Sequence, residues 1–297
     1  MTATAVPTTA PLTHRRPRGG PARAPIAERV LVTAGLVALT LVTAFPVLVI
    51  ALAAFSPQTE VNHWPPRLIP SHLTLDNFAG LLARLPVVQQ SWNSLVFAGA
   101  VTLCSLALNT LAAYALARMD FRGRGVLLTV LIATMMVPFQ ALLLPIYQMT
   151  SALGWVNTFA GLVVPRAADV AGIFLLRQFM VTLPRDLDSA ARIDGAGEFR
   201  IFWSIILPNT RPALLTMALF TFVGNWNDLL WPLIMTSDSQ VRPLTAGLAL
   251  VTGSATATAP YGVMMAGALI AVLPLVILYL VVQRRFVEGV AMTGMKG

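Results

Sequence analysis

Charge is what this chain most lacks. Charged residues make up 11% of its 297 residues and hydrophobic ones 57%, with a mean hydropathy of +0.75, whereas a soluble domain carries about 25% charged residues. That balance excludes an ordinary globular enzyme and predicts a polytopic membrane protein. Lysine is nearly missing. Lys296 is the sole example, and no Gly-x-x-x-x-Gly-Lys-Ser/Thr phosphate loop exists. The chain is therefore expected not to hydrolyse ATP and to bind no cofactor of its own. His14, His63 and His72 have no metal-ligand spacing, and no Gly-x-Ser-x-Gly elbow or His-Glu-x-x-His helix occurs. Cys104, within an apolar run, is the only cysteine, which excludes an internal disulfide and says nothing about compartment. A formal charge of +8 would suggest nucleic acid for a soluble chain. Here the arginines lie between apolar runs, so they carry topology and no nucleic-acid partner is expected.

What is present is a succession of apolar runs. Residues 1–28 are rich in Pro, Thr and Ala, with Arg15, Arg16, Arg18 and Arg23, and have no apolar periodicity. They predict a disordered cytoplasmic tail. Ala51-Leu52-Ala53 resembles a signal cleavage site, but the run from Val30 to Phe55 is 26 residues. That is too long for a signal core and long enough to span, so it predicts an uncleaved first span. The stretch from Glu60 to Gln90, with Trp64, Pro65, Pro66 and Pro70, predicts an extracytoplasmic loop and a short helix near 75–85 begun by Thr74 or Asp76. A second span covers 94–117 and exits at Arg118, Arg122 and Arg124. From Gly125 to Pro165 no residue is charged, and 41 residues are too many for one span. Breaking that run at Gly154–Thr158 gives spans at 126–149, kinked by Pro138 and Pro145, and 156–180. Span five is 213–235, a loop covers 236–260, and span six is 263–282. The architecture is thus all-α with six transmembrane helices in a domain of 29–283, its core at 90–283, followed by a tail of 284–297. Basic residues number 16 on the side of the two termini and three (Arg67, Arg84, Arg242) on the other. That asymmetry predicts cytoplasmic N- and C-termini.

Between spans four and five lies the chain's densest set of charges, LPRDLDSAARIDGAGEFRIFWSIILPNTRP from Leu183 to Pro212. Arg185, Asp186, Asp188, Arg192, Asp194, Glu198, Arg200 and Arg211 cannot sit in hydrocarbon, so residues 184–211 must stand in water at one membrane face. Pro184 suits a first helical turn, Asp186 and Asp188 its positive end, and Gly195 a C-terminal cap. A second helix is predicted from about Glu198 to Leu207, with Phe199, Phe202, Trp203 and Ile206 on one face and Pro208 closing it. Ala190 and Ala191 leave the first helix open to close approach by another surface.

This pattern resembles the cytoplasmic "EAA" loop of permease subunits in ABC importers. Ala190, Ala191, Gly195, Ile205, Leu207 and Pro208 occupy the matching places. Ser189 stands where the family has glutamate, with Asp188 beside it, which bears on one ion pair implied with the ATPase. WPPRLIPSHLTLDNFAGLL resembles a loop of sugar importer permeases, and GNWNDLLWPL a signature of carbohydrate ABC permeases. The tail resembles that of the second permease of maltose-type importers at Gly289, Gly294, Lys296 and Gly297. The resemblance covers most of 30–297 and implies a type I ABC importer permease fold in the bacterial plasma membrane. It also implies a loop docked on a separate ATPase dimer that holds ATP and Mg, a second homologous permease, an extracytoplasmic solute-binding protein and lipid around the spans. The implied cargo is a mono-, di- or oligosaccharide, with glycerol 3-phosphate or another polar solute as the alternative. A stand-alone secondary transporter is the rival. Its coupling carboxylates would have to be Asp169 or Asp228, and no internal repeat is evident.

Two spans hold polar residues that suit a solute path. Asn225, Trp226, Asn227, Asp228 and Trp231 in span five can hydrogen-bond and stack on sugars, or can form an outer-interface belt. Arg166 and Asp169 in span four are three apart and can pair with each other or meet solute, in which case an anionic solute enters consideration.

Overall fold

Helices account for all the regular structure among the described residues, which in this computed structural model are 26–61, 63, 69–252 and 260–294, the last eleven as backbone. Most of the tail expected at 1–28 lies outside them, as does the end of the C-terminal tail at 295–297. Two compact units are distinguished, Met1–Leu48 and Val49–Gly297. In the first, α1 (Ile26–Ala54) begins, and its apolar side chains from Val30 to Leu48 are exposed, as a lipid-facing helix requires.

The second unit follows α1 with one turn, α2 (Gln58–Val61), and the short helix α3 (Asp76–Arg84). Of the two starts expected, Thr74 and Asp76, the helix begins at Asp76, and Thr74 Oγ1 accepts from the Asp76 N–H at 3.2 Å just ahead of it. Asn77 of α3 is buried and donates to the Ala54 and Ser56 carbonyls at 2.9 and 2.8 Å, satisfying the C-terminal end of α1. The long α4 (Val87–Arg118) is the hub, packed by α8, α12 and α14.

The next two spans are broken. Span three is α5 (Arg124–Thr134) and α6 (Phe139–Ala152), bent by 98°. α5 ends at Thr134, and Pro138, extended at ψ 134°, is the cap from which α6 begins, whereas Pro145 is carried inside α6. The bend exceeds the kink that two prolines suggest. Span four is α7 (Phe159–Val163) with a 3₁₀ turn to Arg166, then α8 (Val170–Thr182), bent by 44°. Thr158 and Asp169 cap the two pieces, accepting from the N–H groups of Gly161 and Gly172.

The polar segment forms α9 (Asp186–Ile193), α10 (Glu198–Ile201), a π-helical turn over Phe202–Ile206, and α11 (Leu207–Asn209). Then α12 (Arg211–Trp226) leaves at 74° to Glu198–Asn209. The fifth span, read as continuous over 213–235, stops at Trp226 and resumes as α13 (Leu230–Met235). Within the loop expected at 236–260 there is a helix, α14 (Leu244–Thr252). Its first N–H donates to Ser94 Oγ at 2.8 Å, while Asn93 Nδ2 donates to the Gln240 and Arg242 carbonyls at 2.8 and 3.0 Å. Finally α15 (Tyr261–Gly294) runs on beyond the predicted sixth span. Among the described residues three helices are long and apolar enough to cross a membrane, or up to six if each bent pair is one span. The described chain is that of an all-α membrane protein.

Candidate functional site

Two features carry chemistry: the polar elbow between α8 and α12, and a cavity between α4, α6, the break that precedes α8, and α12.

The elbow's first helix ends as its sequence suggests. Gly195 adopts φ +78°, open only to glycine at low cost, and the Ala196 N–H returns to the Ala191 carbonyl at 2.9 Å in a Schellman closure. Asp188 turns inward. Its Oδ2 lies 3.1 Å from Nη1 of Arg118, the last residue of α4, and the two side chains are only 6% and 2% exposed. Arg118 also donates from Nη2 to the Leu183 carbonyl at 2.9 Å, tying α4 to the entry of the elbow. Arg124 and Arg177 both donate from Nε to the Leu116 carbonyl, at 2.9 and 3.2 Å, completing the end of α4. Glu198 bridges the two halves of the elbow. It accepts from the Tyr114 hydroxyl at 2.7 Å and from Arg192 Nε and Nη2 at 3.0 and 2.8 Å. The hydroxyl, then the guanidinium, hold the Glu198 carboxyl below its ordinary range, and Glu198 in turn raises Arg192. A carboxylate lowered in this way stabilises the fold above its ordinary range and releases that stability as pH falls through the lowered value.

The aromatic face predicted for the second helix is divided. Phe202 and Ile206 are buried with Ile201 against Tyr114 and Ala117, whereas Phe199 and Trp203 are 76% and 61% exposed. The residues occupy two helical rows, 202/206 and 199/203, and the π turn that widens the helix turns one in and one out. The Phe199 and Trp203 rings stack on each other, 6.3 Å apart and 11° from parallel. Ile193 beside them is 86% exposed. The small pair at Ala190 and Ala191 is divided too: Ala191 belongs to the core that the elbow shares with α4, α8 and α12, and Ala190 is exposed. Ser189 is exposed and donates back to the Arg185 carbonyl at 3.3 Å, while Leu207 and Pro208 are half-buried and Asp194 is exposed. Asp188 therefore serves the fold, and the elbow's exposed residues include Ser189, Ala190, Ile193, Phe199 and Trp203 together with the charged Arg185, Asp186, Arg192, Asp194 and Arg200.

The cavity measures about 590 Å³ and is lined by Ser105, Phe139, Gln140, Arg166, Asp169, Phe220, Thr221, Gly224, Asn225 and Asp228, among others. Arg166 and Asp169 do not pair with each other, because the break before α8 turns Asp169 into a helix cap. Arg166 instead brings Nη1 to 3.2 Å from Asp228 Oδ2, donates from Nε to Asn225 Oδ1 at 2.8 Å, and lies 4.8 Å over the Phe139 ring. The Arg166–Asp228 approach is an ion pair by distance without an aligned hydrogen bond to that oxygen. Asp169 accepts from the Gly172 N–H at 2.6 Å and from Asn109 Nδ2 at 2.8 Å. Gly172 permits this approach of α4 to α8, since a Cβ there would fall 2.5 Å from Asn109 Nδ2.

Of the expected solute-path residues, Arg166, Asp169, Asn225 and Asp228 come together here. Trp226 and Asn227 do not. The Trp226 indole is buried and donates to the Ala271 carbonyl at 3.0 Å, and Asn227 faces away from the cavity lining. Trp231 forms no interfacial belt: it is fully buried and donates to the Leu162 carbonyl at 3.1 Å. Ser105, Asn109, Gln140 and Thr221 escaped attention in the sequence. Ser105 and Asn109 are one turn apart on a largely apolar span that also carries Ser94, Thr102 and Thr110, and that spacing was the available signal. Among the described residues no three His, Cys, Asp or Glu side chains gather as metal ligands.

A family model described as the binding-protein-dependent transport system inner membrane component matches residues 108–291. The chain is similar to the arabinooligosaccharides transport system permease protein AraQ of Halalkalibacterium halodurans, with 35% identity over 275 residues, 90% of this chain and 96% of that one. It is also similar to the sn-glycerol-3-phosphate transport system permease protein UgpE of Brucella abortus, with 30% identity over 260 residues, 85% of this chain and 92% of that one. Among solved structures, a chain of a bacterial ABC transporter involved in the import of the acidic polysaccharide alginate shares the fold. Its TM-score is 0.76 at 23% identity, over 88% of this chain and 98% of that one.

Proposed function

This chain belongs to the family of binding-protein-dependent transport system inner membrane components, and from that premise we propose that it is the permease subunit through which a saccharide crosses the bacterial plasma membrane. ATP and Mg are held by a separate ATPase dimer, a second permease completes the path, and an extracytoplasmic binding protein delivers the solute. Both termini lie in the cytoplasm, a reading supported by the basic residues that crowd that side of the sequence.

The observation that carries this reading is the elbow. It is a compact two-helix piece, fastened to α4 by a dry ion pair and presenting two stacked aromatic rings outward among charged residues. Such a surface at a water-facing turn suits a protein partner. Closure of the ATPase around ATP would displace the elbow, and Arg118 would pass that displacement to α4, the hub of the bundle. ATP then biases the subunit between outward- and inward-open arrangements through its differential contacts with the two.

The cavity suits a saccharide. Its volume of about 590 Å³ lies in the range of ligand sites. Phe139 and Phe220 supply apolar faces, and Ser105, Gln140, Thr221 and Asn225 supply hydrogen bonds. Gly224 lines it, and a Cβ at that position meets nothing within 4 Å. Gly224→Trp is therefore expected to project its indole into the cavity, with a Cβ that meets no neighbour. In proteoliposomes holding the complete complex, uptake by this variant should fall to background with ATPase assembly intact, and the chain alone should move no solute. Undiminished uptake would remove the cavity from the path.

A further inference from the structure

We infer that the cavity selects by charge, admitting neutral polyhydroxylated solutes and turning away anionic ones. This rests on the cavity being part of the solute path. An arginine in a membrane cavity invites a phosphate or carboxylate, but the Arg166 guanidinium is already engaged. Asp228 faces it at 3.2 Å, Asn225 takes its Nε–H at 2.8 Å, and the Phe139 ring covers one face at 4.8 Å.

Asp169 has no cation of its own. Its two oxygens accept from neutral donors only, the Asn109 amide at 2.8 Å and the Gly172 N–H at 2.6 Å, and the residue is exposed. The wall thus sets two carboxylates against one guanidinium, a net negative charge. The positive end of α8 offsets part of the charge on Asp169 and leaves the sign unchanged. Each carboxylate oxygen has two acceptor sites, so Asp169 retains room for solute hydroxyls. An anionic group would instead approach an unbalanced carboxylate, and the like charges repel.

The test uses two disaccharides that differ only in oxidation at C6, galactobiose and digalacturonate, with the purified complete complex and no binding protein. Dissociation constants are measured at low and high salt. Galactobiose should bind at least about 10-fold more tightly than digalacturonate, and the gap should narrow as salt screens the repulsion. Asp169→Asn keeps a competent cap for α8 and should strengthen digalacturonate binding about 10-fold, as expected when one like charge is removed. Equal affinity for both sugars in the unmodified complex would overturn charge selection, as would failure of galactobiose to bind, even where Gly224→Trp blocks uptake. Normal uptake by Gly224→Trp would instead overturn the placement of the cavity on the path, and the selection with it.

Discussion

Arg118→Ala is expected to abolish uptake by detaching the elbow from the bundle. The Arg118–Asp188 pair is nearly dry, at 2% and 6% side-chain exposure, so removing the cation strands a carboxylate in a buried place. Breaking such a pair costs about 3–5 kcal/mol, which leaves the Tyr114–Glu198 hydrogen bond and the apolar cluster around Tyr114 and Phe202 to hold the elbow against a stranded charge. The link is also structural in a second sense, because Arg118 holds the Leu183 carbonyl at the mouth of the elbow. Trypsin should reach Arg185 and Arg192 faster in Arg118→Ala and in Asp188→Ala than in the unmodified chain. Replacing both partners with apolar residues, Arg118→Met with Asp188→Leu, removes the stranded charge and should recover most of the protease resistance. Transport at normal rates by either single variant would show that the elbow does not depend on this anchor.

Phe199→Ser combined with Trp203→Ser should produce the opposite profile, a stable chain that no longer holds its ATPase. Both rings are largely exposed, and Phe199 stacks on Trp203. Surface substitutions of this kind change stability by about 0.5 kcal/mol or less. Exposed aromatics at the centre of an interface are worth about 2 kcal/mol or more each, equivalent to about 30-fold in affinity per ring. Titration of the ATPase subunit against the purified permeases measures the difference directly. Unchanged affinity in the double variant would place the docking surface elsewhere.

The outline of the chain was legible because its strongest signals are local. Apolar runs, arginines at their ends and the cap at Gly195 each follow from a few neighbouring residues. The elbow's helix–turn–helix order follows in the same way. Interior partners were not legible, because they depend on contacts distant in sequence. Arg118 finds Asp188 70 residues on, and Asn109 finds Asp169 60 residues on. Periodicity places Phe199, Phe202, Trp203 and Ile206 together, but a π turn is a defect in periodicity and cannot be read from it. The pairing of Arg166 with Asp169 assumed an unbroken helix, and the break that makes Asp169 a cap redirects the arginine to Asp228. The helix at α14 was hidden in a loop because its anchor, Ser94, lies on α4, 150 residues earlier.

The central claim is that residues 184–211 form a cytoplasmic handle gripped by a separate ATPase. A single thiol tests it. With Cys104→Ser removing the chain's only cysteine, Ser189→Cys places a thiol on the elbow's exposed face. A membrane-impermeant maleimide should label this position in inside-out vesicles, not in intact cells, and bound ATPase should protect it. Labelling from outside intact cells, or labelling undiminished by the ATPase, would contradict the account.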